Sequence, residues 1–479
     1  MNLISKAKNS AIWVTGGQIF FKIFSLASLI ILNRLLTPEE FGVVAIANVA
    51  LAIIRLIGNL GITAGIIQRT EKLDNYLNSA FWINFALGLT LTILTLIFSP
   101  LISYVYEIEE LKLILIYLAF GFLLKSFETV PVSILSKELD FKSITIIDIS
   151  SEIISTIIVV ILAFMGFGVW SLIIPMVAIS PVKSLFLWLK CKWRPNFKID
   201  FGLCKEVYNF GKHSFISEFV GYLLSNIDYL IIGKFLGQGA VGIYQFAYNW
   251  ANWPTTNVVW LLGRVAFPTF SKLQNDLDEM RRVYNKMTKF VSVFSVIFYV
   301  IILIETETFV RIIGGDQWLE AIIPLKIISI YGLVRSLGSH GGKVFLAIGK
   351  PEILSRYGLI TFPIIVAGLF VGVQFGIVGV SIATAINSGI SGLVFIWLVY
   401  KKMNSNFLEF LKIISPAFTS GLIAASILLL TNHFLAEFEL NFILKFGFTS
   451  MIGLIVFVAS FKLLFTTSFK EIKEVVIRK

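Results

Sequence analysis

Three cations sit deep inside long apolar runs of this 479-residue chain: Lys22, Arg55 and Arg335. An ionisable side chain in hydrocarbon costs about 2.5–3.5 kcal/mol even on insertion scales, so such groups face a bundle interior or a wet cavity. One chemistry open to them there is anion binding. A lysine or arginine attracts a diphosphate and neutralises it through charge-assisted hydrogen bonds. The other is internal pairing with carboxylates in the same kind of run, Asp148, Glu152, Glu218 and Asp228. Asp228 has two readings of its own, as the site of a coupling proton or cation or as the partner of a lysine. Arg264 lies so near the end of a run that its head group can snorkel to the interface. Lys125 and Glu128, three residues apart on one helix, are expected to pair with each other.

These charges fall on polar stripes. Thr15, Gln18, Lys22 and Ser25 share one helical face, as do Ser214, Glu218, Gly221, Ser225 and Asp228. Asn48, Arg55 and Asn59 form a third stripe, and Thr145, Asp148, Glu152 and Ser155 a fourth. Metal and nucleotide chemistry find no such support. Cys191, Cys204 and His213 match no structural zinc spacing, and no Walker A sequence is present. The two cysteines share one basic loop, which speaks against a disulfide framework. No catalytic residue, metal or cofactor is assigned; any energy coupling is expected to use a proton or another cation. Nucleic acid is not an expected partner, although the net charge is +11, because the basic residues follow a membrane-topology pattern.

The elements that hold the stripes are membrane helices. Hydrophobic residues make up 57% of the chain and charged residues 14%, against roughly a quarter charged in a soluble domain. Apolar runs of about 20 residues, each long enough for a layer of about 30 Å, recur from end to end. They begin with Ala11–Leu36, Phe41–Ile67, Asn78–Val105, Leu111–Leu135, Ile144–Met165 and Val169–Leu189. After a basic loop come Phe215–Phe235, Val241–Phe267, Met287–Ile304, Ile322–Ile348, Leu354–Phe375 and Val378–Tyr400, then Ile413–Leu430 and Phe442–Leu464. The fold class expected is an all-α integral membrane protein of about 14 transmembrane helices.

Lysine and arginine crowd alternate connections, including Lys190, Lys192, Arg194 and Lys198, while the opposite ones carry only Arg34, Lys112, Lys234 and Arg311. The positive-inside rule then places both termini in the cytoplasm. The turn Thr37-Pro38-Glu39-Glu40 has a hydroxyl at the N-cap, proline at the first helical position and Glu40 at the capping-box position.

The halves repeat. Arg34 to Gly42 aligns without gaps on Lys234 to Gly242, both ends offset by 200, and Phe167-Gly168-Val169 corresponds to Phe375-Gly376-Ile377. The repeat unit is six spans, an even number, so both copies enter from the same side as a parallel repeat. This predicts lobes at 1–200 and 201–403, with 404–479 as two further helices and a cytoplasmic tail.

The chain resembles the polysaccharide transporters, or oligosaccharide flippases, of the multidrug/oligosaccharidyl-lipid/polysaccharide exporter superfamily, especially the branch with the colanic acid exporters. The residues that carry the resemblance are Asn33 to Gly42, Leu139-Asp140-Phe141-Lys142, Gly166 to Trp170, Asp228 to Lys234, Gly242-Ile243-Tyr244 and Phe267-Pro268. The resemblance implies two six-helix lobes forming a V and alternating access for a polyprenyl-diphosphate-linked glycan in a bacterial cytoplasmic membrane. It also implies basic residues on the first, second and eighth spans, which match Lys22, Arg55 and Arg264. Glycan assembly proteins and membrane lipids are the implied partners. One alternative is a cation-coupled multidrug exporter of the same superfamily, whose walls would be acidic and aromatic. Another is a membrane-embedded glycan polymerase or glycosyltransferase, for which the longest outer connection, near Glu305 to Glu320, is too short to build a catalytic domain.

Overall fold

The computed structural model describes residues 16–17, 21–22, 24–57, 66, 73–197, 201–437 and 441–477, with only the backbone over 201–220 and 473–477 and at 57, 73, 224, 258, 260, 261 and 264. Thr15, Gln18 and Asn59 lie outside the described residues, as do the side chains of Glu218, Arg264, Cys204 and His213. Among the described residues every regular element is helical. The chain divides into two compact units, Met1–Gly242 and Ile243–Lys479.

The first unit contains α1 (Phe24–Leu35), α2 (Pro38–Ile57), α3 (Leu73–Tyr106), α4 (Glu109–Lys137), α5 (Phe141–Phe164), α6 (Trp170–Lys190) and most of α7 (Phe201–Ala251). A residue with φ 82°, Gly237, interrupts α7. The second unit holds α8 (Trp260–Lys272), α9 (Leu277–Ile304), α10 (Thr306–Ile313), α11 (Ile322–Gly338), α12 (Gly342–Ala347), α13 (Pro351–Gly372), α14 (Gly376–Lys402), α15 (Phe407–Leu435), α16 (Phe442–Leu464) and α17 (Thr466–Ile477).

From Asn78 onward most expected apolar runs fall on helices, but Ile322–Ile348 is split by a turn at 339–341 into α11 and α12, and Val241–Phe267 is split between α7 and α8. Several helices also start earlier than hydrophobicity alone indicates. The helix α9 begins ten residues before the expected Met287, because Asp276 caps it by accepting from the Glu279 amide at 2.9 Å. Likewise Asn406 caps α15 through the Glu409 amide at 3.0 Å. Capped polar turns extend these helices beyond their apolar runs. Nine segments among the described residues are long and apolar enough to cross a membrane. That figure does not fix the expected 14, since one segment, Pro351–Lys402, contains both α13 and α14, which meet at a short 3-10 turn.

The turn before α2 forms the expected capping box: the Thr37 amide donates to Glu40 Oε2 at 2.7 Å, and the Glu40 amide to Thr37 Oγ1 at 3.4 Å. The repeat is written into the backbone as well. Gly168 (φ 56°) and Gly376 (φ 69°) both take left-handed conformations that glycine adopts without a Cβ penalty. A Cβ on Gly42 would lie 1.8 Å from the carbonyl oxygen of Gln238, and one on Gly242 would lie 1.8 Å from that of Pro38. Since 38 + 200 = 238 and 42 + 200 = 242, the two turns touch through equivalent atoms.

Tryptophans build part of a core in the first unit. Phe81 meets Trp188 and Trp193 edge-on at 6.0 and 6.3 Å, and Trp188 donates to the Phe127 carbonyl at 3.0 Å. In the second unit Trp250 packs on Phe309 at 5.0 Å and Trp253 stacks on Phe298 at 5.5 Å. The pair α15 and α16 packs on α9, where Val296 and Ile297 meet Ala417 and Phe457.

Candidate functional site

Three helices of the first unit, α4, α5 and α6, enclose a cavity of ≈ 670 Å³. The whole predicted stripe on α5, Thr145, Asp148, Glu152 and Ser155, lines it, because residues three and four apart present one face. Gly17 and Phe21 close another side, and a Cβ on Gly17 would come within 2.5 Å of the Thr145 methyl. Lys22, next in sequence to Phe21, is half-buried and is not one of its wall residues.

The cavity is organised by Lys183, on α6. Its ammonium lies 2.9 Å from Asp148 Oδ1 and 3.6 Å from Glu128 Oε2. The expected Lys125–Glu128 pair is therefore not what forms. A same-helix pair at this spacing contributes only about 0.2–0.5 kcal/mol. One ammonium shared by two carboxylates from different helices satisfies more charge, and Glu128, 13% exposed, takes it. Lys125, although three residues from Glu128, makes no ion pair within 4.0 Å among the described residues. Glu152 also makes none.

Two further cavities adjoin. Arg55 and Lys125 wall both, the one of ≈ 440 Å³ together with Asn84 and Thr129 and the one of ≈ 340 Å³ together with Asn48 and Tyr222. Lys125 thus borders all three spaces. Like Lys125, Arg55 makes no ion pair within 4.0 Å among the described residues. Among the described residues the arrangement leaves two cations at a junction of cavities, with Glu128 and Asp148 engaged by Lys183 and Glu152 making no ion pair.

The other expected residues are held differently. Asp228 is 7% exposed, its Oδ1 accepting from the Tyr229 amide at 3.0 Å. In the second unit the guanidinium of Arg335 donates to the Tyr248 hydroxyl at 2.5 Å and lies over the Tyr248 and Tyr331 rings at 5.7 and 5.8 Å. Tyrosines hold it; among the described residues no carboxylate lies within 4.0 Å. Arg264 belongs to α8. His340 is buried, with Nε2 2.9 Å from the Thr288 hydroxyl. No group of three or more metal-ligating side chains occurs among the described residues.

Residues 31–323 match the family described as polysaccharide biosynthesis protein, a stretch that includes Arg55, Lys125 and Lys183. The chain belongs to that family. Among the relatives of this polysaccharide biosynthesis protein, the teichuronic acid biosynthesis protein TuaB of Bacillus subtilis (strain 168) is 27% identical over 92% of each chain. The lipopolysaccharide biosynthesis protein WzxC of Escherichia coli (strain K12) is 25% identical over 80% of this chain and 78% of its own. The succinoglycan biosynthesis transport protein ExoT of Rhizobium meliloti (strain 1021) is 24% identical over 89% and 87%. Of solved structures, the lipid II flippase MurJ in an inward closed conformation superposes with a TM-score of 0.76 over 95% of this chain and 98% of that one, at 16% identity. A multidrug resistance MATE transporter facing inward gives 0.64 over 82% and 98%, also at 16% identity. These likenesses establish the fold, an all-α multi-pass membrane architecture shared with the MurJ and MATE structures.

For this family member the sequence reading missed Lys183. It is a lone cation in an otherwise apolar run and is flanked by Ser180 and Ser184. The rule that singled out Lys22 and Arg55 would have found it.

Proposed function

We infer that this polysaccharide biosynthesis protein carries a lipid-linked, polyprenyl-diphosphate glycan precursor across the cytoplasmic membrane by alternating access, as a transporter and not an enzyme. The observation that carries the reading is the pair Arg55 and Lys125 at the cavity junction, without a carboxylate within 4.0 Å among the described residues. Holding such cations in hydrocarbon is costly unless an anion joins them, and a diphosphate supplies two adjacent negative groups for a forked guanidinium and an ammonium. The names of the relatives, which include a succinoglycan transport protein and a lipopolysaccharide biosynthesis protein, point to the same substrate class. Lys22 belongs to the proposed set in the first unit. Arg335 and Arg264 are proposed anion contacts of the second unit in their own right.

Proton or cation coupling is assigned to Glu152, a wall carboxylate without an ion pair among the described residues, with Asp148, Glu218 and Asp228 as structural or coupling partners. The lobes are taken as 1–200 and 201–403, with 404–479 added, and both termini as cytoplasmic. Proteoliposomes loaded with a polyprenyl-diphosphate oligosaccharide test the function, an impermeant glycosidase reporting which leaflet holds the sugar. Wild type and Arg55→Lys are expected to equilibrate the leaflets, while Arg55→Glu and Lys125→Glu at equal protein content are not. Normal flipping by both reversed variants overturns the reading.

A further inference from the structure

A fourth cavity, of ≈ 420 Å³, lies in the second unit between α13 and α14. Its walls are apolar over most of their length, with Ile360, Ile364 and Ile390 each more than half exposed. The Tyr357 hydroxyl donates to the Ser391 carbonyl at 2.6 Å and ties the two helices together beneath it. Along α13 the groove runs from Ile353 to Ile364, eleven residues, which at a rise of 1.5 Å each is about 16 Å. That is close to half of a hydrocarbon layer of about 30 Å, the depth of one leaflet.

The end of the groove near Ile353 and Leu398 is basic. Arg356 is itself a wall residue and makes no hydrogen bond or ion pair among the described residues. Lys350 lies beside Lys402, and Lys401 sits 4.9 Å over the ring of Trp397, a residue type that anchors at the membrane interface. Glu352 is the one acidic residue between Lys350 and Lys402 in sequence.

We propose that this groove holds one acyl chain of an anionic phospholipid, whose phosphate is bound by Arg356 with Lys350, Lys401 and Lys402 around it. A basic pocket between membrane helices on the lysine- and arginine-rich side recognises anionic head groups in this way. The groove's depth fits a chain confined to one leaflet, whereas the tail of a polyprenyl carrier is longer than a leaflet. The site is separate from the Arg55–Lys125 cavities, so it stands or falls independently of the transport reading.

Native mass spectrometry of the full-length protein, offered equal amounts of phosphatidylglycerol and phosphatidylcholine, tests the proposal. Wild type is expected to retain phosphatidylglycerol in preference, Arg356→Lys to keep the preference and Arg356→Gln to lose about fivefold of it. Ile390→Trp, which fills the groove, should lower retention of both lipids, and thermal melting of each variant shows that it is folded. Equal retention of the two lipids by wild type, or undiminished phosphatidylglycerol on folded Arg356→Gln and Ile390→Trp proteins, overturns the proposal. So does displacement of phosphatidylglycerol from the groove by equimolar polyprenyl phosphate.

Discussion

Replacing Lys125 with glutamine separates a substrate contact from a structural charge. In the structure its ammonium borders three cavities but has no carboxylate within 4.0 Å among the described residues. Its removal therefore breaks no ion pair, and folding stability should be unchanged or slightly higher because one desolvated cation is gone. What disappears is one charge-assisted bond to the diphosphate, about 1.5–3 kcal/mol, which corresponds to roughly a 10- to 100-fold loss of flipping at limiting substrate. Lys183→Gln is the counterpart. It strands Glu128, 13% exposed, beside Asp148, and loss of a charged partner at such a site costs about 1–3 kcal/mol of stability. The assay is flipping in proteoliposomes read beside the melting temperature in detergent. Lys125→Gln should lose transport and keep its melting point, whereas Lys183→Gln should lose melting temperature. The argument fails if Lys125→Gln melts early and Glu128→Gln restores it, since that is the signature of a Lys125–Glu128 pair.

Other consequences are as direct. Glu152→Gln should leave the protein folded and remove the response of flipping to an imposed proton or sodium gradient; an undiminished response removes Glu152 from coupling. Gly42→Ala places a methyl 1.8 Å from a carbonyl oxygen and should cost at least about 1–3 kcal/mol, seen as reduced membrane abundance, whereas normal abundance means that the turns do not pack this way. Burial pushes the Cys191 thiol above its usual range, so less thiolate exists at neutral pH and maleimide labelling in a Cys204→Ser background should be slow and rise steeply with pH; a rate matching free glutathione at pH 7 contradicts it. A cysteine at position 198 should react with an impermeant reagent only from the cytoplasmic side, and labelling from outside reverses the orientation.

Much of the fold was legible because membrane helices announce themselves by length and apolarity. Phe442–Leu464 has the same ends in the sequence reading and in the structure. Helix ends were less legible where polar caps carry a helix into water, as Asp276 does for α9. At the site, spacing alone brought Thr145, Asp148, Glu152 and Ser155 to one wall. Partner choice was not legible. Periodicity along one helix puts Glu128 near Lys125, but the competition from Lys183 arises on a different helix, and only the packing of α4 against α6 reveals it.

The contact between the two turns is isologous in form: a glycine at 42 receives the carbonyl at 238, and a glycine at 242 receives the carbonyl at 38. One copy of the motif carries both the notch and the oxygen that fills it. Two identical chains bearing that copy alone would meet through the same pair of contacts, the geometry of a C2 homodimer. The crossing near Gly42 and Gly242 thus has, within one polypeptide, the form of a two-fold interface, and a substitution on one side of it has its natural compensation 200 residues away.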